Sequence, residues 1–122
     1  MKKATISEAT IQRQIVDWIR VAAPGVVVVA VPNAARRTVS GRPTNAVAGL
    51  TAGVPDLVVI MPEGKTLWIE VKSEKGRVSD AQFAFHSKLH GLGHTIAIVR
   101  SLDEVKLAFK AMNIKTREEN NG

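Results

Sequence analysis

Two apolar runs joined by a tight turn constrain the fold of this chain more than any other feature. The runs cover residues 56–61 and 65–72, and Pro62-Glu63-Gly64 lies between them. Three-residue hairpin loops commonly combine a type I turn with a closing residue in the left-handed region. Proline suits the first turn position and glycine the last. The segment therefore predicts an antiparallel β-hairpin.

Each strand of this hairpin carries an acid inside its apolar run. If Met61 pairs with Lys65, then Asp56 falls directly opposite Glu70, where like charges are destabilising. Strand alternation also places Glu70 and Lys72 on one face of the sheet. Two such carboxylates need a shared proton or a cation, and a divalent cation bound by oxygens is one interpretation. A structural salt bridge to Lys72 is the other, and the spacing alone does not separate them.

The remaining periodicity predicts helices and strands around the hairpin. Ser7 is a candidate N-cap for the first helix, and Glu8 stands at the head of that helix's inward-facing stripe. The β-branched run Val26–Val31 predicts a buried strand. A short helical turn is expected near residues 46–52, within a long polar segment. The predicted elements are, in order, a helix over 8–22, a strand over 26–31, the two hairpin strands, a helix over 79–90, a strand over 94–100 and a helix over 101–112.

Length and composition narrow the class of protein. The chain has 122 residues and a net charge of +6, which favours a polyanionic partner. A single domain over residues 1–112 is expected, followed by a frayed polar tail over 113–122. There are no cysteines and no run of about 18 apolar residues, so we expect a cytoplasmic protein with no membrane partner.

Three short motifs together resemble a known nuclease family. They are Gly53-Val54-Pro55-Asp56, Glu70-Val71-Lys72 and the downstream Gln82. The pattern resembles the PD-(D/E)XK nuclease superfamily and, more closely, the VRR-NUC family, and a short chain of this kind is similar to its small phage-type members. The resemblance implies an α/β, restriction-endonuclease-like core of order α-β-β-β-α-β with an extra C-terminal helix. It also implies a mixed central sheet flanked by helices.

The resemblance assigns a role to each motif position. It implies a metal-dependent endonuclease that hydrolyses DNA phosphodiester bonds with Mg²⁺ or Mn²⁺. Gln82 also has a simpler interpretation, since Ser79-Asp80-Ala81-Gln82 has the pattern of a capping box. The implied catalytic residues are Asp56, Glu70, Lys72, Gln82 and Glu8, and the implied metal ligands are Asp56, Glu70, Glu8 and the backbone carbonyl of Val71.

Polar and basic residues on either side of these motifs predict contact with nucleic acid. They are Asn33, Arg36, Arg37, Arg42, Lys75 and Arg77. Because the few aromatic residues follow apolar patterns, recognition of the DNA backbone or shape is expected rather than base stacking. The resemblance further implies a homodimer that acts on branched or junction DNA in replication, recombination or repair. The alternative is a non-catalytic nucleic-acid-binding module on the same fold.

Two histidines on the predicted second helix are interpreted without a functional role. His86 and His90 are four residues apart, a spacing that can bind zinc, but no further ligand accompanies them. They are therefore expected to be a surface pair.

Overall fold

The computed structural model describes residues 5–32 and 48–118. Its helices and strands follow the predicted order α-β-β-β-α-β-α. They are α1 (Glu8–Ala22), β1 (Val27–Ala30), β2 (Leu57–Ile60), β3 (Thr66–Val71), α2 (Asp80–Gly91), β4 (Thr95–Val99) and α3 (Leu102–Ala111), with a 3-10 turn at Pro62–Gly64 between β2 and β3. Across these residues, every helix is too short or too polar to span a bilayer.

The hairpin has the predicted register. Leu57 lies opposite Ile69, and Ile60 lies opposite Thr66. The Met61 N–H donates to the Lys65 carbonyl at 2.8 Å, as the turn pattern requires. The same register, extended by one residue beyond Leu57, sets Asp56 opposite Glu70. The two carboxylates therefore share one face of the sheet.

The four strands form one mixed sheet in the order β1-β2-β3-β4. The pairs β1–β2 and β2–β3 are antiparallel, and β3–β4 is parallel, with α2 in the connection between those two strands. Helices cover both faces, because α1 and α3 pack on the side of Ile69 and Val71 whereas α2 contacts Glu70 on the other side. Burial of each large core side chain contributes roughly 1.5–3 kcal/mol.

Helix α1 begins and packs as its sequence predicts. The Ser7 side chain accepts a hydrogen bond from the Thr10 N–H and caps the helix. The buried side chains of α1 are Ile11, Ile15, Ile19 and Ala22. Their spacing forms the apolar stripe of an amphipathic helix, and it orients α1 so that Glu8 lies near the end of β3.

The prediction of a buried strand over Val26–Val31 is wrong in its burial. Strand β1 lies at the edge of the sheet, where Val27 and Val29 are 58% and 44% exposed and Val28 alone of its four residues is buried. Helix α2 packs against β4 at the opposite edge. The continuous β-branched run therefore predicts the strand correctly, but it does not show that both faces of the strand are buried.

The prediction of a frayed tail from residue 113 is also wrong for residues 113–118. Ile114 and Thr116 are buried, and the Arg117 N–H donates to the Ala22 carbonyl at 2.8 Å. The Trp18 Nε1–H donates to Glu118 at 3.0 Å. These contacts fix the segment against α1, and residues 119–122 lie outside the described part.

The short helical turn expected near residues 46–52 is not present in the part that can be described. Residues 48–53 form two turns separated by irregular backbone. Residues 46 and 47 lie outside the described range.

Candidate active site

Gly53 positions the first acidic motif against helix α2. Its φ is +86°, and a Cβ there would overlap the backbone of Ala81 and Gln82. Glycine adopts this left-handed conformation without the steric cost that other residues incur. The segment that leads to Asp56 can therefore lie directly on the first turn of α2.

Asp56 is tied to both neighbouring strands. Its carbonyl accepts a hydrogen bond from the Val31 N–H at 2.8 Å, which extends the β1–β2 ladder. Its side-chain Oδ2 accepts a hydrogen bond from the Val71 N–H at 2.7 Å. The half-buried Asp56 carboxylate is therefore held beside the end of β3, with its other oxygen outside this hydrogen bond.

Glu70 lies on the central strand β3 and is only 1% exposed. Its Oε1 lies 3.2 Å from His86 Nε2, and its Oε2 accepts a hydrogen bond from Gln82 Nε2 at 3.3 Å. Burial, followed by the hydrogen bond and negative charge of Asp56, raises the pKa of Glu70 to about 8, although the charge of Lys72 opposes the shift. Without a cation, the doubly ionised form of this pair is electrostatically unfavourable, and the raised pKa of Glu70 expresses that cost.

Lys72 is buried on the same face as Glu70, with 7% exposure. Its backbone N–H donates to the Val99 carbonyl at 2.9 Å, which fixes the end of β3 against β4. Within the described residues, Lys72 forms no ion pair with Asp56 or Glu70. The salt-bridge interpretation of the motif therefore lacks the direct contact it requires, although the ammonium is close enough to act on the pKa of Glu70.

Glu8 lies at the edge of the site. It is exposed, and its Oε1 accepts a hydrogen bond from the Ser73 N–H at 3.4 Å, directly after Lys72. Its negative charge also raises the pKa of Glu70. In the ranges 5–32 and 48–118, no three histidine, aspartate or glutamate side chains are grouped closely enough to hold a metal ion. Glu8 therefore does not converge on one point with Asp56 and Glu70.

Gln82 fulfils both of its interpretations at once. Its Oε1 accepts a hydrogen bond from the Ser79 N–H at 2.9 Å and completes the capping box of α2. Its Nε2 donates to Glu70. A single side chain thus fixes the start of the helix and one oxygen of the buried carboxylate.

The interpretation of His86 and His90 as a surface pair is wrong for His86. His86 is buried against Glu70, whereas His90 is exposed. Burial and the charge of Lys72 lower the pKa of His86. The sequence held a signal for this contact, because His86 lies one helical turn after Gln82 and so faces the same way.

Arg100 is a second residue of the site region that has no counterpart among the predicted site residues. Its Nη1 donates to the carbonyls of Ser73, Glu74 and Gly76 at 2.6, 3.3 and 2.7 Å. The loop that follows Lys72 is therefore fixed by the end of β4. This loop carries Lys75 and Arg77, which are both exposed.

The other predicted nucleic-acid contacts cannot be placed. Asn33, Arg36, Arg37 and Arg42 all lie outside the described residues.

The sequence matches one protein-family model and is similar to a phage protein. A family model described as "VRR-NUC domain" matches residues 4–103. The chain is 35% identical over 51 residues to "Putative nuclease p44" of Acyrthosiphon pisum secondary endosymbiont phage 1. That match covers 42% of this chain and 55% of the relative, so it spans little more than half of the relative's length.

Two solved structures share the fold. One is named "VRR_NUC domain" and has a TM-score of 0.60 at 22% sequence identity. The match covers 86% of this chain and 97% of that structure's chain. The other, titled "VRR_NUC domain protein", has a TM-score of 0.57 at 20% identity and covers 88% of each chain. The mixed sheet and its flanking helices are therefore an arrangement that other sequences also adopt.

Proposed function

This chain belongs to the VRR-NUC domain family, and on that premise we propose that it is a nuclease that hydrolyses DNA phosphodiester bonds with Mg²⁺ or Mn²⁺. One observation carries the proposal. Asp56 lies opposite a buried Glu70 on the sheet face that also holds Lys72, and neither acid forms an ion pair with the lysine. When both acids are ionised, such an arrangement costs free energy unless a cation compensates the two carboxylates.

The donor atoms suit a hard divalent cation. Mg²⁺ is usually bound by one or two carboxylates and keeps several water ligands, so a cluster of three acids is not required. Asp56 and Glu70 would supply the carboxylate oxygens. The Val71 carbonyl is a suitable third oxygen. The Val71 N–H points at Asp56, and the N–H and C=O of one strand residue point to the same side of the strand. Glu8, at the edge, would act through water or through its charge.

Each residue of the site would have its own role in phosphodiester hydrolysis. The bound cation would supply a water of lowered pKa and withdraw charge from the phosphoryl oxygens. The Lys72 ammonium, buried on the same face, would stabilise the negative charge that develops on the phosphorus oxygens. Gln82 would hold the Glu70 carboxylate in place. Lys75 and Arg77, exposed on the next loop, would contact backbone phosphates and position the strand.

The finer part of the proposal concerns the substrate. We infer that the protein acts as a homodimer on branched or junction DNA in replication, recombination or repair. Two sites related by a twofold axis suit a branched substrate. The excess of positive charge and the exposed basic loop after Lys72 favour contact with phosphates rather than with base edges.

A cleavage assay with matched variants tests the proposal. Labelled linear, flapped and four-way DNA would be incubated with Mg²⁺, Mn²⁺ or EDTA. We expect cleavage that needs metal, and we expect Glu70→Gln and Lys72→Ala each to lower its rate at least about 100-fold while DNA binding persists. Glu63→Gln and Lys65→Ala are the controls, because these side chains are exposed in the hairpin turn, away from the site. If wild-type protein binds DNA but cuts none of these forms with either metal, the chain is a binding module instead.

A further inference from the structure

We propose that His86 is a positioning residue, whose imidazole, together with the Gln82 amide, fixes the Glu70 carboxylate in the orientation from which it binds a divalent cation. The inference rests on the proposed function, because it assigns a role toward the cation of that same site. It concerns a residue that the motif pattern does not include.

With His86 in its Nε2–H tautomer, each oxygen of the ionised Glu70 carboxylate has its own donor. His86 Nε2 lies 3.2 Å from Oε1, and Gln82 Nε2 lies 3.3 Å from Oε2. An ionised carboxylate offers about four lone-pair positions on its two oxygens. Two donors therefore leave acceptor positions free for a cation, and they also remove the freedom of the carboxylate to rotate.

The two donors stand on a rigid support. Gln82 and His86 are four residues apart on α2, so their side chains lie one above the other on a single helix face. The capping box fixes the start of α2 through Ser79, and Leu89 anchors the helix in the core one turn further on. Because both partners of Glu70 lie on the same rigid helix, its carboxylate is held in one orientation before the cation binds, which favours cation binding.

The burial of His86 separates it from the other histidine on the helix. His86 is 9% exposed and contacts Glu70, whereas His90 is exposed one turn later. Removal of the His86 imidazole would leave one oxygen of a carboxylate with 1% exposure without its partner. The carboxylate would then turn toward another donor and away from the cation. A role in packing alone would change the free energy of unfolding and leave the metal affinity as it is.

The test is a calorimetric titration of the full chain with Mn²⁺, without DNA, accompanied by denaturant unfolding of each variant. Loss of a residue that orients a metal ligand typically weakens metal binding about 10–100-fold. We expect His86→Leu to weaken Mn²⁺ binding by that factor. His86→Gln should recover most of the affinity, because its amide reaches as far as the imidazole and donates an N–H. The matched control, His90→Leu, should bind Mn²⁺ like the wild type.

Each other outcome decides the matter. If wild type and His86→Leu bind Mn²⁺ equally well, the role of His86 is refuted and the proposed nuclease function stands. If the wild type neither binds Mn²⁺ nor cleaves DNA, the proposed function fails, and this inference fails with it. Should His86→Leu unfold, His86→Gln is compared with His86→Asn, whose shorter amide cannot reach Glu70. Equal Mn²⁺ affinities of that pair would refute the inference.

Discussion

Replacement of Glu70 by glutamine should stabilise the metal-free protein, although it removes a residue of the proposed active site. Glutamine keeps the size of the side chain and removes its charge. In the wild type this charge is buried and faces Asp56, and both effects raise the pKa of Glu70 to about 8. A structural salt bridge to Lys72 would give the opposite result, so the substitution separates the two interpretations of the motif.

The sign and size of the effect follow from the shifted pKa. The pKa of Glu70 is about 8 in the folded protein and has its ordinary value of 4.5 in the unfolded chain. Between pH 4.5 and about pH 8, the folded protein therefore holds a proton on Glu70 that the unfolded chain has lost. The free energy of unfolding therefore falls as the pH rises from about 4.5 to about 8, and the full cost applies above that range. At 1.36 kcal/mol per pKa unit the upper bound is roughly 5 kcal/mol. Relaxation of the protein and water penetration around the buried charge reduce it, so we expect a gain of about 1–3 kcal/mol for Glu70→Gln at pH 9.

Urea unfolding in EDTA at pH 5 and pH 9 measures this difference. The two proteins should be close in stability at pH 5, and the variant should be the more stable at pH 9. Mn²⁺ in place of EDTA should reverse the order at about 1,000 times its Kd, because it then stabilises the folded wild type by about 4.1 kcal/mol. Glu63→Gln, an exposed acid, is the control and should change neither value. A Glu70→Gln variant that is less stable than wild type at pH 9 in EDTA would refute this electrostatic reasoning.

Three further substitutions test separate parts of the site. Lys72→Ala should lower kcat for DNA cleavage roughly 10²–10³-fold with a much smaller change in Mn²⁺ affinity, and equal losses in both would contradict its assigned role. Gly53→Ala should lower the free energy of unfolding in urea by more than about 2 kcal/mol, because its methyl group would overlap the backbone of α2 and its φ is positive. Gly64→Ala is the control, since its φ is +72° but nothing lies within 4 Å of the added methyl group. It should cost only the strain of about 1–2 kcal/mol. Arg100→Ala should speed hydrogen exchange at the Ser73 and Gly76 amides, while Lys88→Ala should not, and unchanged exchange would show that the loop holds its shape without the guanidinium.

Local patterns were enough to place the two acids. The turn at Pro62–Gly64 set the hairpin register, and the register set Asp56 opposite Glu70. Capping residues set the helices equally well, because Ser7 and Ser79 accept the hydrogen bonds that their sequence contexts predict. These features depend on neighbours within a few residues of each other, which is the range over which sequence patterns are informative.

The features that the sequence did not reveal depend on contacts between distant segments. Arg100 reaches the loop after Lys72 only because β3 and β4 pair in parallel, with Val71 beside Val99, and no local signal sets that register. Residues 113–118 look like a polar tail, yet Ile114 and one backbone bond to Ala22 attach them to the core. His86 differs, since its spacing of four residues from Gln82 is a local signal that the two side chains share a helix face.

The position of the cation is the most direct test of whether Asp56 and Glu70 form a metal site. Crystals grown with Mn²⁺ would be measured at a wavelength where manganese scatters anomalously. We expect an anomalous peak in contact with the carboxylates of Asp56 and Glu70 and with the carbonyl of Val71. A protein that cleaves DNA with Mn²⁺ but shows its peak elsewhere, with Asp56 and Glu70 sharing a proton, would contradict it.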